Sequence, residues 1–284
     1  MNILITGCNG QLGSELRAIE KEYAQYRFFN TSHQELDVTD HVAVAAYVEE
    51  HEIDGIINCS AYTAVDKAES DIDNCKAINT EAPANLAMAI EKRGGWLIHV
   101  STDYVFDGTK HTPYNETDAT CPNSVYGSTK LAGEESAMKL CQHTMVVRTS
   151  WLYSAFGNNF VKTMIRLGHT KDELGVIFDQ IGTPTYASDL ARAIMAAVEH
   201  GVVAGIYHYS GEGVASWYDF TKAIHRLAGI TDCQVNPIHT SEYPTPAKRP
   251  AYSVLDKTKI KQTYGIRIPH WEESLAKCIN LLMV

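Results

Sequence analysis

Asn2-Ile3-Leu4-Ile5-Thr6-Gly7-Cys8-Asn9-Gly10-Gln11-Leu12-Gly13 opens the chain, and Leu16 and Ile19 follow at helical spacing. The run Asn2 to Thr6 reads as a short buried strand, and the residues after it as the start of a helix. Gly7, Gly10 and Gly13 let the chain turn tightly between the two. Such a turn brings helix-terminal N–H groups close to a pyrophosphate, whose charge the helix dipole favours. The spacing is Gly-x-x-Gly-x-x-Gly, and a plain strand-to-helix turn has the same appearance. Its place after the first strand favours dinucleotide binding.

Outward from this turn, short apolar runs alternate with segments of helical period. Strands are expected at 2–6, 26–30, 54–59, 96–101 and 144–149, with helices at 11–22, 41–51, 80–93 and 124–141 between them. This alternation predicts an α/β fold with a Rossmann-like, doubly wound parallel sheet. After Trp151 the spacing loosens, and Gly and Pro gather in 175–184, 201–213 and 243–250. Helices are expected near 158–168, 187–200, 217–229 and 270–282. The chain therefore divides into a dinucleotide-binding domain over 1–152 and a smaller mixed α/β substrate lobe over 153–284, some of whose segments return to the first domain.

The 284 residues are 45% hydrophobic and 20% charged, enough apolar surface for a sizeable core. A net charge of -10 argues against nucleic acid or an anionic membrane as partner, since both call for a basic face. The N-terminus has no basic, cleavable leader, and the apolar stretch Leu190 to Val198 is short and broken by Arg192, so a cytoplasmic protein is expected. The seven cysteines include no Cys-x-x-Cys pair and read as reduced filler rather than as a metal site.

The second strand should end near Asn30-Thr31-Ser32-His33, where an NAD-selective site commonly offers a carboxylate to the ribose. Asn30 stands there instead, and no Arg adjoins it to clamp a 2′-phosphate. NADPH is the expected cofactor, with NADH left open. Asp37-Val38 suits the adenine edge, although Asp37 also suits a cap for the next helix. Small residues at Asn58 to Thr63 close the third strand, where close approach by a dinucleotide or tight helix packing both need them.

Ser101-Thr102-Asp103 follows the apolar run Trp96 to Val100, and Tyr126-Gly127-Ser128-Thr129-Lys130 lies in a later helical stretch. The i, i+4 spacing places the phenol and the ammonium side by side on one helix face. A nearby cation favours phenolate, which suits Tyr126 to proton transfer with Lys130 as its partner. Thr102 is placed to hold a substrate carbonyl against Tyr126. Alone, a Tyr-x-x-x-Lys pair is common on ordinary helices; the glycine turn and Ser101-Thr102-Asp103 at their expected places give it meaning.

With these residues the chain resembles the extended short-chain dehydrogenase/reductases that act on nucleotide sugars. The likeness runs through Gly7 to Gly13, Thr63-Ala64-Val65-Asp66-Lys67-Ala68-Glu69, Ser101 to Phe106, Tyr126 to Gly133, Arg148 to Trp151, Gly157 to Phe160, Asp179-Gln180 and Tyr243 to Pro246. It implies reduction of the 4-keto group of dTDP-4-dehydro-6-deoxy-L-mannose to dTDP-L-rhamnose, a dTDP-linked sugar being the partner. It also implies Tyr126 as proton donor, Lys130 and Thr102 as its helpers, and Asp103 and Trp151 as substrate contacts. Gly10, Gln11, Leu12, Asp37, Val38, Ala61, Tyr62, Thr63 and Val100 match cofactor contacts of the family. Some members bind Mg²⁺ at a dimer interface, but no dense oxygen-ligand spacing here marks such a site, and monomer and homodimer both stay open. Arg249, in Pro246-Ala247-Lys248-Arg249-Pro250, is the candidate for gripping the diphosphate, against a rigid surface loop as the plainer reading.

A nucleotide-sugar dehydratase or epimerase would use the same fold and the same Tyr-Lys pair. A dehydratase commonly carries Thr-Asp-Glu at the fourth strand's end; Tyr104 occupies the third position here, which disfavours water elimination. A non-catalytic regulatory subunit of this branch is the other alternative. Retention of Thr102, Tyr126 and Lys130 together argues against it.

Overall fold

The computed structural model describes residues 1–283; Val284, the end of the expected second lobe, lies outside them. Strand β1 (Asn2–Thr6) pairs in parallel with both β2 (Arg27–Thr31) and β3 (Gly55–Asn58). The sheet continues through β4 (Trp96–Thr102) and β5 (Thr144–Thr149) to a sixth parallel strand at Gly205–His208. The spatial order is therefore β2, β1, β3, β4, β5 and then Gly205–His208. Winding reverses beside β1, which opens a crevice between the carboxyl ends of β1 and β3, the place where open α/β sheets take ligands.

The inner strands carry apolar side chains on both faces because both faces are covered, with polar groups such as Asn58, His99 and Arg148 buried among them. Ile3, Ile5, Ile57 and Ile98 face one core, while their neighbours Leu4, Ile56 and Leu97 face the other, all of them fully buried. Each such side chain contributes about 1.5–3 kcal/mol relative to exposure. The first face is closed by α1 (Gln11–Ile19) through Leu12 and Leu16, and by the helix Ala187–His200 through Leu190 and Ile194. The second is closed by α2 (His41–Glu50), α5 (Ala82–Glu91) and α6 (Val125–Leu140). Two short helices, α3 (Val65–Ala68) and α4 (Ile72–Lys76), precede α5.

Departures from the expected elements have local causes. The helix expected over 11–22 ends at Ile19 and tightens into a 3₁₀ turn at Glu20–Tyr23. The helix expected over 80–93 continues directly from a π-helical turn at Ala77–Glu81, and Pro83, which has no N–H to give to the preceding turn, sits two residues after it. Asp40, not Asp37, caps α2, accepting from the N–H groups of Val42 and Ala43. Asp37 instead closes a small turn by accepting from Thr39. The helix Thr258–Tyr264 and the strand Gly205–His208 had no expectation attached to them.

The residues after β5 split between two places. Ala187–His200, Gly205–His208 and Thr258–Tyr264 complete the large sheet and its first face. The remainder packs around Tyr153, Phe220, Trp271 and Leu275, contributed by short paired strands and by the helices Phe160–Gly168, Trp217–Leu227 and Trp271–Leu282. Two of these strand pairs are two residues long: Leu152–Tyr153 with Thr185–Tyr186, and Ile181–Gly182 with Ala215–Ser216.

Candidate active site

Between the sheet's carboxyl edge and this second core lies a cavity of about 590 Å³. Gly10, Gln11 and Leu12 form its floor beside Cys59, Ala61 and Thr63 from the end of β3 and Val100 to Tyr104 from the end of β4. Tyr126 and Lys130 of α6 line it too, and Trp151, Asn158, Asn159 and Trp217 close the far side.

The glycine turn is shaped by close approach. Gly7 has φ +64°, and a Cβ there would stand 2.9 Å from the backbone of Cys59 and Ser60. A Cβ on Gly13 would meet the Gly7 carbonyl oxygen at 2.4 Å, so α1 packs against the turn with no room for a side chain. Gly10 caps α1, and no side chain bonds to the N–H groups of the first turn. Those free donors at a helix N-terminus, together with small residues at Ala61 and Thr63 opposite, fit a dinucleotide pyrophosphate.

Other expected cofactor residues lie outside the cavity wall. Asn30 donates to Glu20 Oε1 at 2.7 Å, and its own Oδ1 is buried without a partner. Val38 is a core residue. Tyr62 turns outward to Asp71, and its backbone is held at both N–H and C=O by the Asn79 side chain of the π-helical turn. Asn79 thereby fixes the Ala61–Thr63 loop, a role that helical periodicity had hidden. An arginine does reach the turn: Arg17 of α1 donates to Asn9 Oδ1 at 3.0 Å, and its charge acts on both Cys8 and Glu35. Its spacing within α1 gave it no prominence in the sequence.

The candidate proton-handling groups converge from two elements. Ser124 caps α6 by accepting from the Gly127 N–H, and Glu69 accepts from the Val125 N–H at 2.9 Å, so the helix start is tied down on both sides. Gly127 lets α6 press against the strand end, since a Cβ would stand 2.3 Å from the Tyr104 carbonyl oxygen. Tyr126 lies edge-on to Tyr104, ring centroids 5.4 Å apart. Burial pushes the Tyr126 phenol up to about 12, the Thr102 hydroxyl pulling the other way and the Asp103 charge adding to the rise. Burial moves Lys130 down to about 8, and its Nζ donates to the Val100 carbonyl at 2.6 Å.

Thr102 donates to Asp103 Oδ1 at 3.0 Å. The other carboxylate oxygen of Asp103 is buried with no partner in hydrogen-bonding geometry, and burial lifts the acid to about 6 against the nearby Ser253 and Thr102 hydroxyls. An unpaired acceptor in a cavity wall suits a hydroxyl donor arriving with a ligand. On the far side, Trp151 holds φ +47°, a conformation rare for a bulky side chain. Its indole stacks on Trp217 at 3.6 Å, and a Cβ on Gly182 would stand 2.6 Å from that indole. Strain and stacking together fix Trp151 as a flat apolar wall. Asn159 bonds Gln11 Oε1 at 3.0 Å and caps the helix Phe160–Gly168, joining the far side to the glycine turn. Neither Trp217 nor Asn159 had been singled out from sequence as a site residue.

Arg249 does not enter the cavity wall. Its guanidinium pairs with both oxygens of Asp66, at 3.0 and 2.8 Å, which occupies the fork that a phosphate would need. Among the described residues no cluster of His, Cys, Asp and Glu is placed to hold a metal ion, and no helix is long and apolar enough to cross a membrane.

A doubly wound sheet with a phosphate turn, and a buried tyrosine and lysine one helical turn apart beside it, define a dinucleotide-dependent oxidoreductase of the short-chain type. The chain belongs to the dTDP-4-dehydrorhamnose reductase family: the model of the RmlD substrate binding domain matches residues 1–284. The dTDP-4-dehydrorhamnose reductase of Aggregatibacter actinomycetemcomitans is 42% identical over 283 residues, covering 96% of each chain. The crystal structure of a dTDP-4-dehydrorhamnose reductase from Clostridium acetobutylicum superposes with a TM-score of 0.96 at 45% identity over 100% of both chains. That of Bacillus anthracis, determined in complex with NADP, superposes with a TM-score of 0.94 at 39% identity over 98% of both.

Proposed function

We infer that this chain reduces the 4-keto group of dTDP-4-dehydro-6-deoxy-L-mannose with NADPH, giving dTDP-L-rhamnose. One observation carries the reading: Tyr126, Lys130 and Thr102 line the same cavity as the glycine turn, in a chain that matches reductases of this name along nearly its whole length. The dinucleotide, when bound, supplies the hydride. The first-turn N–H groups of α1 hold its pyrophosphate, with Gly7 and Gly13 giving the approach. Arg17, beside Asn9 at the same turn, supports NADPH over NADH, because a guanidinium grips a 2′-phosphate and gains little from a hydroxyl.

Thr102 orients the carbonyl oxygen toward Tyr126. As the carbonyl carbon becomes tetrahedral, Tyr126 gives its phenolic proton to that oxygen, and the ammonium of Lys130 stabilises the phenolate left behind. A phenol raised by burial keeps its proton across the working pH range, which suits an acid in a reduction. Asp103 accepts from a sugar hydroxyl, and Trp151 packs its face on the 6-deoxy carbon. The residues around the second core form the sugar-nucleotide side, while Arg249 acts through Asp66 by fixing the 243–250 loop near Val65 at the rim. Incubating the protein with dTDP-4-dehydrorhamnose and NADPH, then identifying the product by mass spectrometry, tests the assignment. A gain of two mass units with stoichiometric NADPH oxidation is expected; dinucleotide binding with no oxidation sinks the reading in favour of a scaffold.

A further inference from the structure

Behind Lys130 the sheet carries a row of buried polar groups that do not themselves line the cavity. His99 of β4 is fully buried, and its Nε2 lies 3.5 Å from Lys130 Nζ. Its Nδ1 lies 3.1 Å from Asn58 Nδ2 of β3. The Asn58 amide has one workable orientation, because its Oδ1 meets the backbone N–H of Ser60 at 3.0 Å, and a backbone N–H only donates. Oδ1 also accepts from the Thr6 hydroxyl at 2.7 Å. Asn58 Nδ2 is therefore the donor to His99 Nδ1.

A neutral imidazole has one proton, so here it sits on Nε2 and faces Lys130. Burial holds the ring in that neutral form, and the charge of Lys130 acts in the same direction. An ammonium at Lys130 then meets an N–H head-on, whereas a neutral amine accepts from it. Two groups near Lys130 act against this contact: the charge of Glu134 of α6, itself held by Arg148 through three hydrogen bonds, and the Val100 carbonyl, which accepts from Nζ. Burial keeps the Cys59 thiol and the Tyr126 phenol protonated.

We propose that His99, locked by Asn58 with its Nε2–H toward Lys130, is a positioning residue that disfavours the ammonium of Lys130 and so sets where the site loses that charge. The proposal rests on the reading of Lys130 as the electrostatic partner of Tyr126. Its consequence is an alkaline limb in the pH profile of kcat/KM as Lys130 loses its proton, burial having already brought that group down to about 8 and His99 acting in the same direction.

The first test needs neither substrate nor cofactor. In the free protein labelled with ¹⁵N-histidine, NMR should show His99 with its proton on Nε2 and none on Nδ1 throughout the neutral range. A proton on Nδ1 overturns the proposal, whatever the variants do. The second test is Asn58→Asp, whose carboxylate accepts from Nδ1–H and turns the Nε2 lone pair toward Lys130. The alkaline limb should move up by about one pH unit or more, and the shift should vanish when the same change is made in a His99→Phe background. A shift of equal size without the imidazole is direct charge action and overturns the proposal, as does no shift in either background. Should either variant fail to fold, the tautomer in the native protein decides alone. Lys130→Met separates the underlying reading: if the alkaline limb survives it, the limb belongs to another group, while the tautomer measurement stands.

Discussion

On one wall of the cavity, Gly10, Val100, Tyr126 and Lys130 stand at the ends of parallel strands or on the 16-residue helix α6, all braced by a core on each face of the sheet. On the other, Trp151, Trp217 and Asn159 stand on segments joined by two-residue strands, held by stacked rings and side-chain hydrogen bonds. A sheet wall braced on both faces holds its groups rigidly and suits proton and hydride chemistry, where a displacement of about 1 Å is costly. A wall made from side-chain stacks is shaped by what it packs against, and suits recognition of a sugar and a base. Loss of a group from the first wall should therefore reduce turnover, and loss from the second should reduce affinity.

The sharpest break in that comparison comes from Tyr126→Phe. The ring stays packed edge-on to Tyr104, so fold and dinucleotide affinity should hold, while turnover falls by the ~10²–10⁴ typical of a lost general acid. Steady-state kinetics beside a dinucleotide titration would show it; near-normal turnover removes Tyr126 from the chemistry. Next in size is Arg17→Ala, which lies outside both walls, on α1 beside the glycine turn. A lost charge-assisted contact of about 1.5–3 kcal/mol should weaken NADPH about ten- to a hundredfold. NADH should bind as before. Calorimetric titration with both dinucleotides measures the difference, and equal losses for the two would return Arg17 to a merely structural bond with Asn9.

The same contrast explains what the sequence made legible. Ile3, Ile57 and Ile98 belong to short apolar runs that alternate regularly with helical segments, so the sheet and the glycine turn at its switch point follow from spacing, and the Tyr126–Lys130 pair from its place after them. Asn79 was hidden because a π-helical turn adds one residue and looks in sequence like ordinary helix. Arg17 reaches the turn by folding of α1 over Asn9, a proximity that strand-end residues such as Asn30 do not advertise. Trp217 sits 66 positions beyond Trp151, and only the folded chain stacks them. Arg249 carried the right chemistry for a phosphate, but a carboxylate 183 positions away had the same chemistry for Arg249. Isolated long-range pairs of this kind have no period to read.

Trp217→Leu sharpens the second half of the comparison. Removing the ring that backs Trp151 forfeits about 0.5–1.5 kcal/mol of stacking and frees an indole held at φ +47°. KM for the nucleotide sugar should rise about two- to tenfold, with kcat for saturated enzyme and NADPH affinity little changed. If kcat falls and KM stays, the second wall takes part in chemistry and the division drawn above is wrong.

The smallest effect is expected at Arg249, and its pattern matters more than its size. A guanidinium that binds substrate directly would make Arg249→Ala costly while Asp66→Ala, which frees the fork, improves affinity. A guanidinium that only ties the 243–250 loop to α3 makes Asp66→Ala, which also removes the Ala247 N–H bond, at least as costly as Arg249→Ala, and the double variant no worse than Asp66→Ala alone. The pair is partly exposed, 22% at Arg249 and 40% at Asp66, so the whole coupling should amount to about 0–1 kcal/mol. The bonds from Arg249 and from the Ala247 N–H to Asp66 Oδ1 place the effect on the loop's position. The expected result is a slight rise in KM for the sugar nucleotide in all three variants, Asp66→Ala and the double variant alike and at least as large as Arg249→Ala because they also lose the Ala247 N–H bond, with thermal melting lowered in the same order. A large loss confined to Arg249→Ala would instead mean that the guanidinium leaves Asp66 when the diphosphate arrives, and would move Arg249 from the loop into the binding wall.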